Sequence, residues 1–108
     1  MPSNQLTRLA SISIHDKLLL AHHFTEQLAS GKAKSQLALA RDYGVSGSWM
    51  RSICVMTWLA PKIQESIGRM SAEEADKRIR FRKLFNIAEV RNHDEQWHRF
   101  VEMVGAEG

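Results

Sequence analysis

Residues 36 to 55, QLALARDYGVSGSWMRSICV, constrain the fold of this chain more than any other stretch. One helix is expected to end at Tyr43-Gly44-Val45, and a second to begin after Ser46. Ser35 is placed to cap the first helix, whose inward positions Leu39, Ala40 and Tyr43 recur at helical spacings. Gly44 is expected to adopt a left-handed conformation where the chain reverses, since glycine alone does so at no steric cost. Ala40 lies four positions before Gly44. Where two helices cross at about 90 to 120°, a side chain larger than a methyl would push the second one away. Val45 is expected to plug the turn into the core and Ser46 to cap the next helix, with Met50 and Ile53 forming its inward face.

Gly47, Ser48, Arg51, Ser52 and Val55 are then left facing outward. A corner of this kind suits a helix-turn-helix whose second helix enters the major groove of duplex DNA. The guanidinium fork of Arg51 matches the two acceptors of guanine, while Ser46, Ser48 and Ser52 suit base edges or phosphate oxygens. The helix N-terminus at Gly47 can donate to a phosphate. Trp49 either braces the first motif helix or covers a sugar. Ser35 and Gln36 at the start of that helix join the expected DNA contacts, as do Lys32 and Lys34 in the loop before it, where simple solvation is the other reading. A plain αα-hairpin is the competing account of the whole segment, and all-helical domains form one without nucleic acid.

The run LARDYGVSGSWMRSI followed by WLAPKIQESI resembles the helix-turn-helix domain of the ParB/KorB family of plasmid and chromosome partition proteins and regulators. The matching residues are Leu39, Ala40, Gly44, Val45, Ser46, Met50, Ile53, Leu59, Pro61 and Ile63, within a segment spanning residues 15 to 70. The resemblance implies a sequence-specific double-stranded DNA-binding protein, either a transcriptional regulator or a partition-type accessory factor of a bacterial plasmid or mobile element. The nucleotide-binding region with its arginine-rich box and the separate dimerisation domain of full-length partition proteins have no counterpart in these 108 residues. DNA binding is therefore the property that carries over.

Length and composition agree with one all-α domain. The chain is 44% hydrophobic with two prolines and six glycines, and no alternating apolar run argues for a strand. The expected architecture is a trihelical helix-turn-helix core followed by two to three further C-terminal helices. Residues 1–14 read as a flexible arm, 15–70 as the DNA-binding domain, and 71–108 as a helical extension packed on the core and available for dimerisation. The single cysteine, Cys54, suits a reducing compartment. Residues 1 to 14 lack the basic start and sustained apolar run of a signal peptide, and Leu18 to Ala21 is too short to cross a bilayer. A cytoplasmic, nucleoid-associated protein without membrane contact is the expectation.

Charge is unevenly distributed along the chain. Residues 1 to 70 hold eight Lys or Arg against four Asp or Glu, whereas residues 71 to 108 hold seven against eight. The positive excess falls on the half that contains the motif, as expected of one phosphate-facing side, although an ordinary solvated surface has the same tally.

Before the motif, Leu18, Leu19, Ala21, Phe24, Leu28 and Ala29 form the expected stripe of a first core helix, with Gly31 placed to end it. After the motif, Pro61 suits the first turn of a short helix with Ile63 and Ile67 on one face and Gly68 at its end. Ser71 to Glu74 reads as a capping box opening a stretch whose buried side holds Ile79, Leu84, Ile87, Ala88 and Val90, with a break near Arg80. The last helix, Asp94 to Val104, presents Trp97, Phe100, Val101 and Val104 inward, and Trp97 with Phe100 is the expected homodimer surface.

The segment KRIRFRK, residues 77 to 83, carries five positive charges in seven residues. Arg80 and Arg82 there either contact DNA, adding salt-sensitive affinity, or pair with Glu73, Glu74, Asp76 and Glu89 as a solvated helix. No cofactor, metal ligand set or catalytic residue is expected. His22 and His23 point to different sides of a helix, His93 and His98 lie five apart, and the His22 and Glu26 pair lacks a third ligand. The alternative function is a protein interaction module anchored by Trp49, Trp58 and Trp97.

Overall fold

A computed structural model describes residues 12–105, and the secondary structure among them is α-helix with one 3-10 turn and no strand. In chain order the elements are α1 (Ile14–Ala29), α2 (Gln36–Tyr43), α3 (Gly47–Cys54), a 3-10 turn (Val55–Trp58), α4 (Pro61–Arg69), α5 (Ala72–Arg78), α6 (Phe81–Ala88) and α7 (His93–Gly105). Most of the expected N-terminal arm lies outside the described residues. Its last two positions belong to the fold: the Ser13 hydroxyl accepts from the Asp16 amide at 3.1 Å to cap α1, and Ile14 is buried.

The first three helices start and stop where their side chains direct. Ser35 and Ser46 lie in extended backbone, and each hydroxyl accepts a hydrogen bond from the amide three residues on, Ala38 and Trp49, both at 3.0 Å. Each cap satisfies one of the amide donors that a helix start leaves without an intrahelical partner. Gly44 ends α2 at φ 68°, ψ 33°. The Val45 amide donates to the Ala40 carbonyl at 2.9 Å and the Gly44 amide to Arg41 at 3.2 Å. That pair of bonds is a Schellman motif, which needs the left-handed residue.

The core forms where α1 and α2 both pack on α3. Ala21 and Phe24 of α1, Leu39 and Ala40 of α2, and Met50 and Ile53 of α3 are all buried. Phe24 meets the half-buried Tyr43 edge to face, with ring centroids 5.0 Å apart. Each fully buried aliphatic or aromatic side chain of this kind contributes about 1.5 to 3 kcal/mol relative to exposure.

Three helices follow residue 70 and pack on the core rather than standing apart from it. The 3-10 turn buries Val55 and Met56 against α1 and α6, and Leu59 and Ala60 stay buried after it. The Asp76 carboxylate of α5 accepts from the Ile14 amide at 2.9 Å and so closes the start of α1. His15 of α1 donates through Nε2 to the Ile67 carbonyl of α4 at 2.8 Å, and His22 bonds the Gln64 side chain at 2.7 Å. Lys17 of α1 lies over the Phe81 ring of α6, 4.5 Å from its centroid. Burial lowers the Lys17 pKa, with the negative charge of Asp76 acting in the opposite sense.

Gln96 of α7 is the buried polar residue at the centre of this second layer. Its Oε1 accepts from the Ala60 amide at 2.7 Å, and its Nε2 donates to the carbonyls of Val90 at 2.8 Å, Trp58 at 3.2 Å and Ala88 at 3.4 Å. One side chain thus joins the end of the 3-10 turn, the start of α4 and the end of α6.

Several positions differ from the periodicity reading. Leu19 is 69% exposed and Ala29 is exposed, so the buried stripe of α1 runs through Ile14, Ala21 and Phe24. Gly68 lies inside α4, which is capped by Met70. Val55 is buried, not outward, because the helix tightens to 3-10 geometry there and turns the next residues into the core. Val101 is exposed, and the inward face of α7 is Gln96 and Phe100 followed by Met103 and Val104. Phe100 is filled against the protein's own core, and Trp97 stacks on it at 5.8 Å with Lys62 of α4 lying 4.3 Å from its ring. Phe100 is therefore a core residue, while Trp97 keeps part of its surface open.

Candidate nucleic-acid interface

The outer face of α3 is shaped by its own cap and by side chains of α6 that reach it. Ser46 and Gly47 are exposed at the start of α3, and Ser48 in its first turn is exposed as well. The Trp49 amide is taken by the Ser46 hydroxyl, which leaves the Gly47 and Ser48 amides at the positive end of the helix dipole. The α2 end lies close by: a Cβ on Gly47 would stand 4.0 Å from Cδ1 of Leu37, the neighbour of Gln36. Ser35, Gln36, Lys32 and Lys34 are all exposed.

Ser48, Trp49, Arg51 and Ser52 form one wall of an open groove of about 470 Å³, and Phe81, Arg82 and Phe85 of α6 form the other. The groove thus brings together four expected contacts on α3 with Arg82 from the basic segment. Arg80 is exposed at the start of α6, outside the groove lining. Within the basic segment, Arg78 pairs with Glu74 at 3.4 Å, whereas Arg80 and Arg82 have no ion-pair partner among the described residues. Of the pairings expected within this run, Arg78 with Glu74 forms.

Of Ser48, Arg51 and Ser52, the outward side chains expected to reach bases, two are already engaged. Arg51 Nη2 donates to Glu89 Oε2 at 3.1 Å, and its guanidinium carbon lies 5.7 Å from the Phe85 ring centroid. The pair is open to solvent, with side chains 51% and 39% exposed, so Arg51 is held but not sealed. Exposed pairs contribute only about 0 to 1 kcal/mol, so Arg51 is released from Glu89 at modest cost. Ser52 is half-buried, and its hydroxyl donates back to the Trp49 carbonyl at 2.7 Å, as serines inside helices often do. Trp49 is half-buried against the core, which favours its bracing role.

Sequence periodicity missed Glu89 and the aromatic wall. Glu89 is 38 residues from Arg51, and no local spacing connects them. Arg82, Phe85 and Glu89 do recur at three and four, the spacing of one helix face, which is the signal that could have joined them. Cys54, on the inward face of α3, is buried in the core, and burial raises its thiol pKa. Among the described residues no three His, Cys, Asp or Glu side chains gather as a metal site, and no helix is long and apolar enough to cross a membrane.

No family model, curated protein or solved structure matches this chain. The class defined by the fold is an all-α protein with a tight helix corner and a mixed aromatic and basic groove beside its second corner helix.

Proposed function

We propose that this protein binds duplex DNA sequence-specifically, with the first turns of α3 in the major groove and the start of α6 against the phosphate backbone. The carrying observation is that Ser48, Arg51 and Arg82 surround one open groove at the N-terminal end of a short capped helix. The setting that fits the ParB/KorB resemblance is a regulator or partition-type accessory factor of a plasmid or mobile element. A dimer on a repeated site belongs to the same reading, because one recognition helix reads only a few base pairs. No chemical step is part of it: the groove holds hydroxyls, guanidinium groups and rings, which recognise rather than react.

A duplex titration at two salt concentrations tests the reading. Binding is expected to weaken steeply with salt, and Arg51→Ala is expected to cost about 1 to 3 kcal/mol on a preferred site, the worth of a bidentate base contact. Reversing charge at Arg80 and Arg82 is expected to weaken binding to all sequences and to flatten the salt slope. Trp58, at 55% exposure, favours a second reading in which the protein docks a partner. Failure to bind DNA at low salt would support that reading instead.

A further inference from the structure

We propose that Glu89 is a specificity-positioning residue: it holds Arg51 in the place of a DNA anion and releases it only to a contact better than a single phosphate oxygen. The proposal rests on the DNA-binding reading and adds a negative element to it.

Three observations lead there. Glu89 follows the last residue of α6, where the negative end of the helix dipole disfavours a carboxylate and where α6 carries no basic residue in its last turn. Its carboxylate nevertheless bonds the one arginine on the exposed face of α3, at 3.1 Å. Phe85, one turn earlier on the same face of α6, lies beneath that guanidinium at 5.7 Å. The ring and the carboxylate together bias where Arg51 points, and Arg51 and Phe85 line the same groove as Arg82.

The consequence is a difference between two kinds of DNA contact. A lone phosphate oxygen offers Arg51 about what Glu89 already offers, so moving to it gains little, and Glu89 is then left close to the negative backbone. A guanine edge accepts two hydrogen bonds from the fork and carries no charge, so it outcompetes Glu89 without repelling it. Discrimination improves because the wrong contact is penalised, not because the right one is strengthened.

Wild type, Glu89→Gln, Arg51→Ala and the double variant are titrated against a mixed-sequence duplex across a salt series, and against a duplex selected from a random pool. On the mixed duplex, Glu89→Gln is expected to bind about fivefold tighter, the upper value for an exposed pair that no longer competes, with Glu89→Asp reverting toward wild type. Its salt slope is expected to steepen by about 0.9, one further phosphate neutralised. The gain on the selected duplex is smaller, so the specificity ratio falls. In the Arg51→Ala background the Glu89→Gln gain disappears, which a change in folding or in general surface charge would not produce. Equal affinity and slope for wild type and Glu89→Gln, or a gain that persists without Arg51, overturns the proposal while leaving DNA binding intact. If neither protein binds any duplex at low salt, the DNA-binding reading itself is overturned.

Discussion

At the scale of single residues, Gly44 meets a conformational demand and Gln96 a hydrogen-bonding one. Gly44 sits at φ 68°, where an L side chain is strained, so Gly44→Ala is expected to lower stability by about 1 to 2 kcal/mol. Gly47 is a control on the same corner. A Cβ there would meet only ordinary contact with Leu37, and Gly47→Ala is expected to leave the urea unfolding midpoint unchanged or slightly raised. Gln96 satisfies an amide and several carbonyls from three different segments. Gln96→Leu keeps the volume but strips those partners, and is expected to cost about 3 kcal/mol by the same unfolding measurement. A loss below about 0.5 kcal/mol would mean that the buried amide network stabilises little.

At the scale of elements, α2 and α3 were legible because their signals are local. Ser35, Gly44 and Ser46 each act on amides or carbonyls within five residues, so the corner follows from the sequence in its immediate neighbourhood. Elements whose register depends on distant contacts were less legible. Gln96 is an inward position of α7 that a hydropathy pattern passes over, because its burial depends on acceptors on the 3-10 turn and α6. Arg51 looked free because Glu89 is remote in sequence. The contact between α1 and α6 has a pH signature. Burial depresses the Lys17 pKa, so over the alkaline range just below the ordinary lysine value the unfolded chain binds more protons than the folded one. Stability contributed at this position therefore rises with pH in that range and is constant near neutrality. Wild type is expected to gain on Lys17→Met in paired denaturation curves as pH climbs through it; a difference independent of pH would contradict the burial of the amine.

At the scale of the whole molecule, the C-terminal helices do two things at once. They complete the core through Leu84, Ile87 and Phe100, and they lay Arg82, Phe85 and Glu89 alongside α3. The corner and the extension thus form a joint surface, and the outward face of α3 is narrower than its own sequence suggests. Amide shifts across the described residues during titration with duplex DNA test this most directly. The account predicts perturbations concentrated at residues 46–52 and 80–85, with the Arg51 guanidinium resonance moving as its contact to Glu89 is exchanged. Perturbations that avoid both segments and gather instead around Trp58 would contradict it.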